Sequence, residues 1–354
     1  MLKSFAALAA TVVLASCASE FAGRPDPVAV DPASSGWNQA ALDEMVSYVG
    51  SQKSTGLVII EDNRIIAEKL WPLPTDAEGF RSGFVHGEAA DGALLEDVAS
   101  QQKSFIGILA GVAIDKGLLD LSKSVSSYIG AGWSKATPEQ EAAITVRSLM
   151  EMNSGLKGNL TFDAPPETKF FYNTPAYAIM KPVLEATSKQ SLDAITQAWL
   201  AKPAGMHDTG WRKRPSQFSD VGNPTGLVTT PRDIARMGQL VLDGGVAANG
   251  RRVISKQQLD ALFVRTKTNP SYGHLWWLNG GSETVSVGAN SPRRAGQFIV
   301  AAPVDMIAAM GAQDRKLFVV PSRKLIIVRT GPAAPDRDID EKMWDQLNKA
   351  MPKR

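Results

Sequence analysis

The chain has few of the residues on which several common kinds of site depend. Its 354 residues include one cysteine and three histidines. A single cysteine excludes an internal disulfide framework. The histidines His86, His207 and His274 are scattered, and no two have the spacing of a metal-binding helix. We therefore predict no metal site and no cofactor.

An excess of positive charge is also missing. The chain carries 38 Lys and Arg residues against 36 Asp and Glu residues, a net charge of +2. Binding to phosphate backbones requires clustered Lys and Arg side chains. Two short basic stretches, Trp211–Arg214 and Pro292–Arg294, are interpreted as solvated loops. The sequence thus predicts no nucleic-acid partner.

No apolar run reaches the roughly 20 residues that a membrane-spanning helix needs. The first residues instead show one charge at Lys3, an apolar run from Phe5 to Leu14, and small residues before Cys17. This is the pattern of an export signal. Leu14-Ala-Ser-Cys17 resembles a bacterial lipobox, in which the cysteine thiol carries a diacylglycerol after cleavage. An ordinary secretory signal with an incidental cysteine is the alternative.

The lipobox interpretation predicts an exported lipoprotein that Cys17 anchors to the cell envelope. Ala18 follows the cysteine, which by resemblance favours the outer membrane, facing the periplasm. Residues 1–17 are then the signal peptide with its lipobox. Residues 18–35 are rich in Pro, Gly, Ala and Ser and are expected to form a flexible tether. The oligomeric state is not predicted.

Residues 36–354 are expected to form one catalytic domain with an α/β (α+β) fold. Gly56–Trp71 predicts a β-hairpin, and strand patterns return in Phe298–Ala301, Lys316–Val320 and Leu325–Arg329. Helical patterns dominate between these two regions. We predict an antiparallel sheet flanked by helices, from about residues 36–85 and 265–354. An all-helical subdomain of about residues 86–264 is inserted into it, with a ligand cleft between the two.

The best candidate nucleophile is a serine followed by a lysine three residues later. This pattern occurs at Ser100–Lys103 and at Ser154–Lys157. Residues i and i+3 share a face only on a helix, and the residues after Ser100 predict a buried helix, whereas Ser154 precedes Gly155 in a turn-like stretch. Ser100 is therefore favoured. The alternative is an ordinary capping serine with a solvated lysine.

Other nucleophile arrangements fit less well. The G-x-S-x-G elbow of α/β-hydrolases does not occur in the sequence. A serine activated by a lysine remains. At the first turn of a helix, free amides and the helix dipole also favour negative charge on the serine oxygen.

Several short segments, in order, resemble the serine β-lactamase and penicillin-binding-protein superfamily. The similarity is closest to its class C-like branch, which includes esterases and 6-aminohexanoate-dimer hydrolases, and spans about Gly56 to Gly331. The segments are Ala99–Phe105, Ala113–Leu121, Met152–Leu156, Pro203–Met206 and Gly226–Asp233. The resemblance implies a β-lactamase/transpeptidase-like fold and acyl transfer through Ser100 and Lys103.

The second motif of that superfamily, Y-x-N, is matched by Tyr172-Asn173-Thr174. Tyr172 then takes the place of a tyrosine that exchanges protons with the serine, provided the charge of Lys103 lowers its pKa. Thr174 replaces the asparagine that holds an acyl side chain. Shifting the register would put Phe171 and Asn173 at these positions, but this option loses the catalytic hydroxyl.

The third motif, K-T-G or H-x-G, is matched only by its glycine. Gly311 lies in the expected place with no Lys or His before it, and the resemblance implies that the Ala312 amide completes an oxyanion hole with that of Ser100. A missing cation weakens the case for β-lactam or peptidoglycan substrates that carry a carboxylate. An uncharged ester or amide fits better.

The sequence thus predicts a serine hydrolase that forms an acyl-enzyme on a small ester, amide or lactam. Its catalytic residues are Ser100, Lys103 and Tyr172, and its substrate-binding residues are Thr174, Gly311 and Ala312. The altered motifs leave one alternative of another class open. It is a catalytically silent protein of the same fold that binds cell-wall peptide.

Overall fold

A seven-stranded sheet forms the centre of the structure, a computed structural model that describes residues 23–216, 222–288 and 290–353. Two smaller sheets accompany it. The strands are β1 (Val28–Ala29), β2 (Gly56–Glu61), β3 (Arg64–Leu70), β4 (Val85–Glu88), β5 (Leu94–Asp97), β6 (Gly210–Lys213), β7 (Thr225–Thr229), β8 (Trp277–Leu278), β9 (Glu283–Val285), β10 (Arg293–Ala295), β11 (Ile307–Gly311), β12 (Arg315–Val320) and β13 (Leu325–Thr330).

Helices cover both faces of this sheet. The helices are α1 (Gln39–Ser51), α2 (Glu78–Phe84), α3 (Gln102–Asp115), α4 (Ser126–Ile129), α5 (Pro138–Ala142), α6 (Val146–Met150), α7 (Thr174–Ala178), α8 (Met180–Ser188), α9 (Leu192–Thr196), α10 (Lys202–Ala204), α11 (Pro231–Leu242), α12 (Lys256–Leu262) and α13 (Ile339–Ala350).

The strand order of the large sheet is β1-β3-β2-β13-β12-β11-β8, and every neighbouring pair is antiparallel except β1 with β3. Strands from both ends of the chain therefore meet in one sheet. On β12, Phe318 packs against Trp344 of α13, while its neighbour Leu317 lies beside Gly238 of α11. Successive side chains of a strand point to opposite faces, so the sheet lies between α13 and α11. The predicted antiparallel sheet flanked by helices is confirmed.

Helix α3 is enclosed on all sides, since every residue from Gln102 to Ala113 is buried. A helix that is apolar all round belongs in a core rather than on a surface. The 3-10 turn Ala99–Gln101 that precedes it and α3 itself contact β11, which is next to the edge strand β8, and α3 also packs against α8 and α12. This position fixes the residues at its start between the sheet and the helical region.

The region predicted to be all-helical also contains strands. β4, β5, β7 and β6 pair in that order into a four-stranded sheet. These strands are only four or five residues long, and they contain glycines and charged residues in place of an apolar alternation. Near the other end, Phe298–Ala301 is not the predicted strand, and the hairpin of β9 and β10 precedes it.

Part of the predicted tether lies on the domain. Val28 and Ala29 form β1 beside β3, and the backbone N–H of Arg24 donates to the carbonyl of Ala248. The signal peptide and the lipobox cysteine Cys17 lie outside the described residues and stay predictions, as do the domain boundaries. Among the residues that the structure describes, no helix combines the length and apolarity needed to cross a bilayer.

Candidate active site

Ser100 lies in a single 3-10 turn, Ala99–Gln101, that runs directly into α3. Its hydroxyl caps neither helical segment. Instead, Lys103 Nζ lies 2.9 Å from Ser100 Oγ. Lys103 is only 1% exposed. The alternative of a capping serine with a solvated lysine therefore does not describe this pair.

Apolar and neutral groups surround the amine of Lys103. Nζ lies 3.2 Å from Thr174 Oγ1 and 4.8 and 4.7 Å from the ring centres of Tyr172 and Tyr177. Burial, reinforced by the positive charges of Arg214 and Lys181, holds the pKa of Lys103 well below its usual 10.5. A neutral amine next to a serine hydroxyl can accept its proton.

Tyr172 completes this group, since the Ser100 side chain is near enough to act on its pKa. Burial raises the pKa of Tyr172 to about 12, and the Ser100 side chain lowers it only in part. The expected lowering of this pKa by the lysine is therefore not found. At neutral pH Tyr172 is a phenol, which suits it to donate or relay a proton while Lys103 serves as the base.

The structure brings Tyr172 and Thr174, rather than Phe171 and Asn173, to the serine and lysine. Asn173 is used elsewhere. Its side-chain oxygen caps α7 by accepting from Ala176 N–H, and its amide donates to the carbonyls of Leu156 and Lys157. The geometry thus agrees with the register that keeps a hydroxyl beside Ser100.

An aromatic stack supports the ring of Tyr172 from behind. Tyr172 stacks on Trp277 at 5.8 Å, and Trp277 stacks on Phe298 at 4.6 Å between ring centres. Tyr272 contacts both Tyr172 and Trp277 edge-on. Tyr272 and Trp277 are buried, whereas Phe298 is partly exposed. Besides Tyr172 itself, which is also partly exposed, Phe298 is the member of this stack that is available to line a cleft.

Gly311 ends β11 beside the turn that carries Ser100. A Cβ atom at Gly311 would lie 2.3 Å from the carbonyl oxygen of Val98, so only glycine permits this approach. Ala312 follows at the exposed start of the next turn, and its carbonyl accepts from Arg315. Gly311 thus lies next to the segment leading into Ser100, and the oxyanion role of the Ala312 amide stays a prediction.

Sequence analysis missed an ion pair next to the nucleophile. Arg214, interpreted as part of a solvated loop, is buried and makes a two-pronged bond to Asp97, with Nε and Nη2 2.6 and 2.8 Å from the carboxylate oxygens. Asp97 in turn accepts from the N–H of Ala99. The charge of Asp97, three residues before Ser100, was the only signal available in the sequence.

A second buried lysine lies close by. Lys181 Nζ donates to Asn223 Oδ1, and to the carbonyl and hydroxyl of Thr225 at 2.8 and 2.9 Å. Burial and the charge of Arg214 lower the pKa of Lys181 to about 7. Three acceptors match the three donors of an ammonium group, which supports the charged form against this shift.

His274 has a structural partner. It is buried, and its Nε2 lies 3.2 Å from Glu151 Oε1. No cluster of three or more His, Cys, Asp and Glu side chains suited to a metal ion occurs in the described residues.

Comparison with known proteins identifies the family of this chain. The profile of the Beta-lactamase family matches residues 43–326. The chain belongs to the β-lactamase family. Penicillin-binding protein 4 of Amycolatopsis lactamdurans is 24% identical over 260 residues, which cover 57% of this chain and 68% of that protein. The predicted superfamily is thereby confirmed.

Solved structures of this superfamily have the same fold. A structure from Bacteroides dorei assigned to the β-lactamases has a TM-score of 0.67 at 14% identity, covering 89% of this chain and 99% of that one. A Bacillus anthracis structure assigned as a 6-aminohexanoate-dimer hydrolase has a TM-score of 0.63 at 15% identity, covering 93% and 87%. The family and these neighbours are hydrolases of the β-lactamase superfamily.

Proposed function

We propose that this β-lactamase-family protein is a serine hydrolase that acts through an acyl-enzyme on an uncharged ester or amide. The observation that carries the proposal is the 2.9 Å approach of Lys103 Nζ to Ser100 Oγ in a buried setting that favours the neutral amine. A surface Ser-Lys pair would hold a charged lysine and could not take the serine proton.

The proposed reaction has two steps. Neutral Lys103 takes the hydroxyl proton of Ser100, and Oγ attacks the carbonyl carbon of the substrate. The backbone amides of Ser100 and Ala312 stabilise the resulting oxyanion. The alcohol or amine then leaves with a proton relayed through Tyr172, and water hydrolyses the acyl-Ser100 ester in the reverse sequence of proton transfers.

The charges around the site support an uncharged substrate. Gly311 follows Ala309 and Met310, so its strand offers no cation at the position before the glycine. The nearby guanidinium groups of Arg214 and Arg315 are paired with Asp97 and Glu96. A substrate carboxylate would have to compete with Asp97 and Glu96 for these two guanidinium groups.

The test is intact-mass spectrometry after incubation with a fluorophosphonate and, separately, with a penicillin. A single phosphonyl adduct on Ser100, absent from Ser100→Ala and Lys103→Ala, is the expected result. A p-nitrophenyl ester then measures turnover. Absence of any adduct and of any turnover would overturn the hydrolase and leave the silent cell-wall-peptide binder, whose affinity Ser100→Ala would not change.

We also infer that Cys17 carries the lipid anchor of an envelope lipoprotein, as the lipobox indicates. Expression in a lipoprotein-processing bacterium should give a membrane-bound product with a mass increment on the cysteine. Cys17→Ser should be released into the soluble fraction. An unmodified, soluble wild-type protein would contradict the anchor without affecting the proposed chemistry.

A further inference from the structure

The backbone just before the nucleophile is held in an unusual conformation. Ala99 has φ of +49°, in the left-handed region that residues with a Cβ avoid. Such a conformation is strained and persists only where the surroundings enforce it. Because Ala99 immediately precedes Ser100, this conformation sets where the serine hydroxyl points.

Asp97 is the group that holds this backbone. Its Oδ1 accepts from Ala99 N–H at 2.8 Å, and Asp97 itself is fully buried. A buried carboxylate is stable only with compensating charge and hydrogen bonds, and Arg214 supplies both through its paired N–H groups. Arg214 is fixed in turn, since Nη1 donates to Asn223 O and its backbone N–H donates to Pro224 O.

A third residue makes room for this pair. An ideal Cβ at Gly226, on β7, would lie 1.8 Å from Asp97 Oδ2 and 2.4 Å from Asp97 Cγ. Gly226 does not have a positive φ, so the requirement is space rather than backbone freedom. The carboxylate therefore fits only because β7 has no side chain at this point.

We propose that the buried Asp97–Arg214 pair positions the nucleophile, by locking Ala99 in the conformation that places Ser100 Oγ against Lys103 Nζ. The inference rests on the proposed hydrolase function for its catalytic consequence. Asp97 and Arg214 are positioning residues, since both act on Ser100 through the Ala99 backbone. Arg214 has a second effect, because its charge acts directly on Lys103.

The first measurement is the second-order rate of phosphonylation by a fluorophosphonate. Asp97→Asn and Arg214→Lys should each lower this rate by about 10- to 100-fold, the cost of a misplaced nucleophile. The control is Arg232→Lys. Arg232 makes the same two-pronged contact to Glu68 at the surface, with 2.6 and 2.7 Å distances, and its variant should label at the wild-type rate. Thermal unfolding of each variant identifies loss of the fold.

A pH profile separates positioning from general destabilisation. The groups that act on Lys103 are Ser100, Thr174, the rings of Tyr172 and Tyr177, and the charges of Arg214 and Lys181. Arg214→Gln removes one cation, so the pKa of Lys103 should rise and the acid limb of the profile should move to higher pH. Arg214→Lys keeps the charge and should lower the rate without moving the limb.

Crystal structures of wild type and Asp97→Asn test the positioning step without requiring any reaction. We expect Ala99 to leave the left-handed region in the variant and the distance from Ser100 Oγ to Lys103 Nζ to increase beyond hydrogen-bonding range. A folded variant with Ala99 and this distance unchanged would overturn the inference. Failure of wild type to label, with the expected displacement in the variant, would instead overturn the proposed hydrolase and leave the positioning intact.

Discussion

The chain contains the same four-residue pattern twice, and the two copies have different surroundings. Lys103 is 1% exposed and approaches Ser100, whereas the side chain of Lys157 is 58% exposed and lies 3.9 Å from Asp163. Ser100 enters a long buried helix. Ser154 enters a turn, where Gly155 has φ of +73°.

The difference shows that spacing alone does not create a nucleophile. A helical turn brings the i and i+3 side chains to one face, and burial removes the water that would keep the lysine charged. The turn after Ser154 provides neither condition. It has a structural use instead, because the carbonyls of Leu156 and Lys157 accept from Asn173 and so fix the residue between Tyr172 and Thr174.

The largest contrast is expected between the two serines. Ser100→Ala should abolish labelling by a fluorophosphonate, since it removes the hydroxyl that lies 2.9 Å from Lys103 Nζ at the start of α3. Ser154→Ala should label at the wild-type rate. Intact-mass spectrometry measures both. Labelling that survives in Ser100→Ala and disappears in Ser154→Ala would reverse the assignment.

The two lysines should differ almost as much. Lys103→Ala is expected to lower the phosphonylation rate by about 10²- to 10⁴-fold, the usual contribution of a general base. Lys157→Ala, which removes an exposed side chain, should stay within about twofold. Labelling reactions that are quenched at a series of times give the phosphonylation rates of both variants. Equal losses in the two variants would show that the burial of Lys103 has no catalytic meaning.

Burial of Lys103 should also reduce stability. Its folded pKa lies below its unfolded pKa of 10.5, so between these values unfolding takes up a proton. Stability therefore falls as the pH decreases from about 10.5 towards the folded pKa. Lys103→Met should remove this dependence and stabilise the protein at pH 7 by about 1–3 kcal/mol, although the variant is inactive.

Denaturant unfolding of wild type, Lys103→Met and Lys157→Met at several pH values measures this effect. The Lys157 variant is the matched control and should leave the pH dependence as it is in wild type. A wild-type stability that does not respond to pH between 7 and 10, or a Lys103→Met variant that is less stable than wild type, would argue that the buried lysine is charged.

The smallest contrast concerns the threonines next to the two lysines. Thr174→Val removes the hydroxyl 3.2 Å from Lys103 Nζ and should slow labelling by about 2- to 10-fold, in line with the loss of one hydrogen bond. Thr161→Val lies beside the second motif, where Thr161 O accepts from Lys157 N–H, and should not change the rate. An unchanged labelling rate in Thr174→Val would show that Thr174 does not contribute to the site.

The parts of the fold that could be predicted from the sequence are those with local patterns. The hairpin of β2 and β3, helix α3, and strands β12 and β13 agree with the predicted segments within a few residues. The four-stranded sheet was not predicted, because its short strands pair residues such as Glu96 and Thr229 that lie far apart in the chain.

The features of the candidate site also fall into those that the sequence predicts and those that it does not. Ser100, Lys103, Tyr172 and Thr174 could be selected from spacing and resemblance, and the structure brings them together. The pKa of Tyr172 could not be predicted from the sequence, since it depends on the burial of this side chain in the fold. The pairing of Arg214 with Asp97 joins two segments 117 residues apart, and no local pattern distinguishes a buried arginine from a solvated one.

The tight fit of Gly226 over Asp97 has a consequence for the history of this protein. While the carboxylate remains, any side chain at position 226 collides with it, so selection removes substitutions of this glycine. Position 226 becomes free to vary only in a lineage where position 97 has already changed to a smaller residue. The two positions are therefore expected to evolve in a fixed order, which ancestral reconstruction across the family could date.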